Sequence, residues 1–183
     1  KEYEKIDLKL DLPTEFNFLT IAQVSPRKNI SATVRSFINE FKDDDRVGLV
    51  MKINKVNDSL MDRHTVTQEI KNIIKTENLG DIKCKIYILH GPMSEQEIHS
   101  LYKQENIHAY ITTTHGEGYG LPIFEAAYSG LPVMAPAWSG HIDFLYMPEE
   151  NKVSKKVKKV PMFTKIRYKL DHVQEEALVE NMI

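Results

Sequence analysis

Short apolar runs alternate with amphipathic stretches over most of this chain, and that alternation restricts it to few architectures. A strand buried on both faces reads as a brief, nearly unbroken apolar run. The helices that cover it show apolar residues at helical spacing. Phe16 to Ala22 (FNFLTIA) reads as a first strand, followed by the turn QVSPRKN and a helix from about Ser31 to Phe41. Arg46 to Ile53 is a second strand. A helix from about Leu60 to Glu77 carries Val66, Ile70, Ile73 and Ile74 as its apolar stripe and ends at the Asn78-Leu-Gly80 breaker. Ile82 to His90 is a third strand, Ser94 to Lys103 a helix opened by a Ser-x-x-Glu capping box, and Ala109 to Thr112 a fourth strand. Leu121 to Tyr128 is a further helix, Pro132 to Ala135 a fifth strand, and Gly140 to Leu145 one or two helical turns. Strands and helices in strict alternation predict an α/β fold, a Rossmann-like parallel sheet with helices on both faces. Ligands then sit beyond the carboxyl ends of the strands.

The chain has 183 residues, 42% of them hydrophobic, which is enough for one domain with a two-sided core. Residues 1–15, which alternate charged and apolar side chains, read as a linker from a missing N-terminal domain. Residues 16–150 form the Rossmann-like domain. Residues 151–183 complete it with a lysine-rich loop or edge hairpin (Lys152 to Lys159) and a helical segment, EEALVENMI. Both ends read as cuts through a longer protein. A formal net charge of −2 provides no electrostatic footprint for nucleic acid. The single cysteine, Cys84, excludes an internal disulfide, lies in strand-like sequence and suits a reducing, cytoplasmic setting. No stretch approaches the roughly 18 apolar residues that span a bilayer.

The segment richest in chemistry is His115-Gly-Glu-Gly-Tyr-Gly-Leu-Pro-Ile-Phe-Glu125, between the fourth strand and its helix. Three glycines within five residues let backbone N–H groups approach a ligand, and the helix beginning at Leu121 turns its positive end toward an anion. Pro122 suits the first helical turn, where its missing N–H costs nothing. A diphosphate fits such a turn. Glu117 lies within it, and Glu125 lies one turn into an otherwise apolar helix, where a carboxylate needs a partner such as a pair of sugar hydroxyls or else faces solvent.

EGYGLPIFE resembles the E-x7-E signature of family 4 glycosyltransferases and their GT-B relatives. The likeness extends through AYITTTHGEGYGLPIFEAAYSGLPVMAPAWSGHIDFL, IAQVSPRKNISATVRSF and ILHGPMSEQEIHSLY, covering about residues 16 to 146. It implies one half of a GT-B fold, the donor-binding domain of a retaining hexosyltransferase-type glycosyltransferase. By position, Glu117 would be the catalytic, sugar-side carboxylate and Glu125 the ribose clamp. The backbone of Gly118, Tyr119, Gly120 and Leu121 would bind sugar and diphosphate. The family carries an Arg directly after the first strand and a Lys five positions later. Here those positions hold Gln23 and Lys28, with Arg27 as an extra cation. Lys28 and Arg27 are therefore the expected phosphate ligands, and Gln23 departs from the pattern. The turn at Gly91 would read the nucleobase. His115 is either a general acid or base or a structural hydrogen-bonder, and His141 and Asp143 near the cleft stay unassigned.

No Asp-x-Asp or spaced His ligands appear, so no metal and no cofactor is expected, the substrate being a nucleoside-diphosphate sugar of UDP or GDP type. The acceptor would be held by the missing half, without which the chain would bind nucleotide weakly and transfer nothing. The resemblance leaves room for peripheral membrane association of the complete enzyme. Two alternatives stay open: a non-catalytic nucleotide-sugar-binding module and a GT-B nucleotide-sugar epimerase. An NAD-binding Rossmann domain is disfavoured because QVSPRK stands where Gly-x-Gly-x-x-Gly would follow the first strand.

Overall fold

The structure, a computed structural model, describes residues 3–77, 80–150 and 155–172. Its main sheet contains β1 (Phe16–Gln23), β2 (Val47–Asn54), β3 (Lys85–Leu89), β4 (Ala109–Ile111), β5 (Val133–Pro136) and β8 (Thr164–Ile166). Their order is β3-β2-β1-β4-β5-β8, with every neighbouring pair parallel. Between them run α1 (Ile30–Phe41), α2 (Leu60–Thr76), α3 (Glu95–Leu101), α4 (Leu121–Tyr128) and α5 (Ile142–Leu145). β6 (Tyr146–Glu150) and β7 (Val157–Pro161) form a separate antiparallel pair, the edge-hairpin alternative for the lysine-rich stretch.

Period-two alternation along each strand divides the core between the two faces. Phe18, Leu49, Met51 and Ala109 pack with Ile30, Val34, Phe37 and Ile38 of α1 and Val66 and Ile70 of α2. Leu19, Val50, Tyr110 and Val133 point the other way, against Leu101 and Tyr102 at the end of α3, Ile123 and Ala126 of α4, and Leu145 of α5. This is the Rossmann-like arrangement that the alternation of runs predicts.

Element boundaries differ from the expected ones where partners are missing. The third strand begins at Lys85 instead of Ile82, because its pairing to β2 starts at Gly48↔Lys85 and residues before it have no neighbouring strand. Cys84 is buried in the first cluster, and burial pushes its thiol pKa up. Ser94 is the N-cap of α3, and the expected capping box with Glu97 is formed in both directions. Within the turn between β1 and α1, Pro26–Lys28 wind into a short 3-10 helix. Residues 3–15 carry neither helix nor strand and lie along α3. There Ile6 N donates to Ser100 Oγ at 3.0 Å, and Leu8, Leu10 and Leu12 pack on the second cluster. The helical reading of EEALVENMI, and Asn78 and Leu79 of the breaker, lie outside the described residues.

Candidate functional site

β1 lies between β2 and β4, so the connections after β1 and β4 depart to opposite faces and leave a crevice at their carboxyl ends. Both sequence-nominated turns open there. Lys28 and Arg27 sit in the 3-10 turn after β1, and Glu117 sits in the glycine-rich turn after β4. Lys28 Nζ donates to Glu117 Oε1 at 2.6 Å, and Arg27 Nη1 donates to Glu117 Oε2 at 2.8 Å and to the Gly116 carbonyl at 2.7 Å. The Glu117 side chain is only 7% exposed. Burial alone would raise its pKa, but the bonds from Lys28 and Arg27 outweigh it and hold the carboxyl below its ordinary value.

The turn that presents Glu117 is clamped from behind by the connection after β5. Ser139 Oγ accepts the Glu117 N–H at 2.9 Å and donates to the Glu117 carbonyl at 2.8 Å, while Gly140 N donates to that carbonyl at 3.0 Å. Thr114 fixes the other side, donating through Oγ1 to the carbonyls of Arg27 and Gly116. The bonds from Ser139 and Gly140 to Glu117 and from Thr114 to Arg27 escape sequence reading, because they join residues distant in the chain.

Gly120 is the N-cap of α4 at φ +86°, a left-handed conformation that suits glycine, and Pro122 occupies the first turn. Gly118, Tyr119 and Leu121 are exposed, and the Tyr119 ring packs on Phe124 and Phe144. Glu125 is half-buried, and Tyr102 donates its hydroxyl to Oε2 at 3.1 Å. Burial raises the Glu125 pKa against the opposing pull of the Tyr102 bond and His99. Tyr110 is fully buried, and its hydroxyl donates to the Ile21 carbonyl at 3.2 Å.

Other nominated residues are placed less centrally. Gly91, at φ +108°, follows β3, and its carbonyl accepts Lys52 Nζ at 2.7 Å. It stands three strand spacings from β4, about 14 Å. Beside it a cavity of about 280 Å³ is lined by Leu8, Lys52, His90, Met93 and Glu97. His90 is buried against Asp62, Nε2 to Oδ2 at 2.9 Å, and Asp62 also accepts the amides of Lys55 and Val56. The Gln23 amide donates to the Lys55 carbonyl at 2.8 Å. His115 is exposed, and its backbone N–H donates to the Arg27 carbonyl. His141 is fully buried and donates from Nε2 to the Pro136 carbonyl at 2.7 Å, and Asp143 is exposed. Among the described residues no group of His, Cys, Asp or Glu is arranged to hold a metal ion, and no helix is long and apolar enough to cross a membrane.

No family model matches the chain. It is 24% identical over 138 residues to a sucrose synthase of Melioribacter roseus, an alignment that takes in 74% of the chain and 17% of that protein. The C-terminal domain of a group 1 family glycosyltransferase, LpcC, from Francisella tularensis superposes with a TM-score of 0.54 at 20% identity, over 74% of this chain and 64% of that one. The pneumococcal O-GlcNAc transferase GtfA, solved with UDP and GlcNAc, gives 0.54 at 17% identity over 91% of this chain and 28% of the enzyme. OtsA gives 0.55 at 14% identity, over 75% of this chain and 32% of that one. The chain thus spans less than two thirds of each of these relatives. With its six parallel strands and the crevice between β1 and β4, the chain has the Rossmann-like half-domain fold of the GT-B, group 1 type glycosyltransferases.

Proposed function

We propose that the chain is the donor-binding half of a retaining glycosyltransferase, taking a nucleoside-diphosphate sugar of UDP or GDP type. The observation that carries the reading is the convergence of Lys28, Arg27 and Glu117 across the crevice, beside the amino end of α4. The diphosphate would displace the carboxylate from Lys28 and Arg27 and meet the amides of Gly118 to Leu121. Charge that builds on the leaving group as the anomeric bond breaks is then stabilised by cations and a helix end already in place. Glu117, freed from the pair, faces the sugar, where an ionised carboxylate binds hydroxyls strongly and stabilises positive charge at the anomeric carbon. Glu125 takes the ribose and the turn at Gly91 the base. The acceptor binds a second domain that closes the cleft, and the setting is cytoplasmic. The roles of Lys28, Arg27 and Glu117 are supported by the match of residue types to positions at the crevice, and that of the Gly91 turn rests on the resemblance alone.

A non-catalytic nucleotide-sugar-binding module is the second reading, favoured by one observation. Gln23 stands where the resembled family has a phosphate-binding Arg, and its amide is committed to the Lys55 carbonyl. Calorimetric titration with UDP, GDP and ADP and their sugars tests both readings. Saturable binding lost in Lys28→Ala supports the donor site, and no binding at millimolar nucleotide sinks it. Transfer assayed with the acceptor half supplied, in wild type and Glu117→Ala, separates enzyme from sensor.

A further inference from the structure

Residues 3–12 form neither helix nor strand, yet one stripe of side chains binds their backbone. Gln96 Nε2 donates to the Glu4 carbonyl at 3.1 Å, and Ile6 N donates to Ser100 Oγ at 3.0 Å. Gln104 donates to the Ile6 carbonyl at 2.9 Å and accepts the Leu8 N–H at 3.4 Å. These three side chains recur every four residues along α3 and the turn after it. Four residues of helix rise about 6 Å. Two residues of extended chain span about 6.6 Å, so the stripe meets every second residue of the segment. Asn106 Nδ2 continues the series onto the Leu10 carbonyl at 3.2 Å.

The same segment closes a cavity. Leu8 and Leu10 share the lining of the space of about 280 Å³ at the carboxyl end of β3 with Lys52, His90 and Met93. This end of β3 stands two strand spacings, about 10 Å, from β1, whose turn carries Lys28. A nucleoside whose phosphates lie on Lys28 extends about that far.

We propose that residues 3–12 are a releasable strap that gates the base end of the donor crevice. The inference rests on the donor reading, which supplies the ligand. Seated on Gln96, Ser100 and Gln104, the strap gives the cavity an apolar wall against which a base packs. Lifted, it opens that side to water and leaves the phosphates at Lys28 held as before. Release is a local opening, since Leu8 and Leu10 are only half-buried when seated and water replaces each anchoring bond. Base binding and strap seating therefore favour one another.

Hydrogen exchange on the 183-residue chain tests the strap, with the Ile6 amide as reporter because its acceptor belongs to the buried Ser100. In the ligand-free chain this amide should be protected, and exchange at the unprotected rate overturns the strap. Leu8→Pro deletes the N–H given to Gln104 and alters no residue of the sheet or its helices, so Ile6 should exchange about fivefold faster, the worth of one hydrogen bond. An unchanged rate overturns the anchoring. A ligand that binds only the seated form suppresses release, so UDP or GDP at about ten times its Kd should slow Ile6 exchange about tenfold. Inorganic diphosphate at the same saturation should leave the rate unchanged. Calorimetry should show Leu8→Pro binding the nucleotide about fivefold or more weakly, for one lost apolar contact, and binding diphosphate as wild type does. Bound nucleotide that leaves Ile6 exchange unaltered, or diphosphate that slows it equally, overturns the gate and leaves the donor reading standing. Failure of both nucleotides to bind wild type overturns the donor reading and the gate's ligand with it, while Ile6 protection in the ligand-free chain still decides whether the strap is seated.

Discussion

Adding a single methyl group at Gly140 should dislodge the loop that presents Glu117. A Cβ built there would lie 1.9 Å from Gly118 O, 2.7 Å from Gly118 C and 2.9 Å from Glu117 O. Non-bonded atoms settle near about 3.5 Å, so the two turns must separate by about 1.5 Å. All three obstructing atoms are backbone, and no side-chain rotation relieves the clash. Overpacking of this kind costs about 1–3 kcal/mol, and the separation also breaks the Gly140 N to Glu117 O bond and strains those of Ser139, each worth about 1 kcal/mol. Gly140→Ala should therefore destabilise the chain by about 3 kcal/mol, a fall in Tm of roughly 6–12 °C for a domain of this size. Gly118→Ala is the control, since a Cβ there meets nothing within 4 Å. Thermal unfolding followed by circular dichroism reads both variants. If Gly140→Ala melts within about 2 °C of wild type, or no lower than Gly118→Ala, the clamp does not hold the turn as described.

Three further outcomes follow from the charges. Lys28→Ala should weaken nucleotide binding about 10- to 100-fold, the loss of one charge-assisted hydrogen bond, and calorimetry showing wild-type affinity would remove Lys28 from the site. Glu117→Gln releases Arg27 and Lys28 from their carboxylate, so inorganic diphosphate should bind more tightly than to wild type, and unchanged or weaker binding contradicts the displacement step. The bond to His90, with the amides of Lys55 and Val56, holds the Asp62 carboxyl at about 2, below the ordinary aspartate value of 3.8. An acid whose pKa is lowered on folding adds stability above its unfolded pKa and loses it as pH falls toward the folded one. Wild type should thus lose Tm steeply between about pH 4 and 2, and Asp62→Asn, less stable at neutral pH, should show a flatter profile there. Parallel profiles would refute the role of the pair.

Much of the crevice was legible in the residues because its signals are local. Three glycines, Pro122 and the two glutamates lie within eleven consecutive residues, and Pro26 marks the turn that carries Arg27 and Lys28. The carboxylate-to-cation pairing was not legible, since it joins residues 89 and 90 positions apart. β8 was missed because three residues, two of them exposed, carry almost no periodic pattern, and only the open edge of β5 makes them a strand. The pairing of Asp62 with His90 was likewise not legible, since only the fold brings the two together.

The sequence by itself determined the order of the first five strands and the helices between them and the turn chemistry after β1 and β4, because backbone sterics and hydrophobic period act over a few residues. The tertiary structure alone decided that Ser139 and Gly140 grip the Glu117 turn, that Lys28 and Arg27 hold its carboxylate, and that Tyr102 reaches Glu125. Each of those contacts depends on how the sheet aligns distant turns at one edge, and no local preference encodes a distance between segments so far apart in the chain.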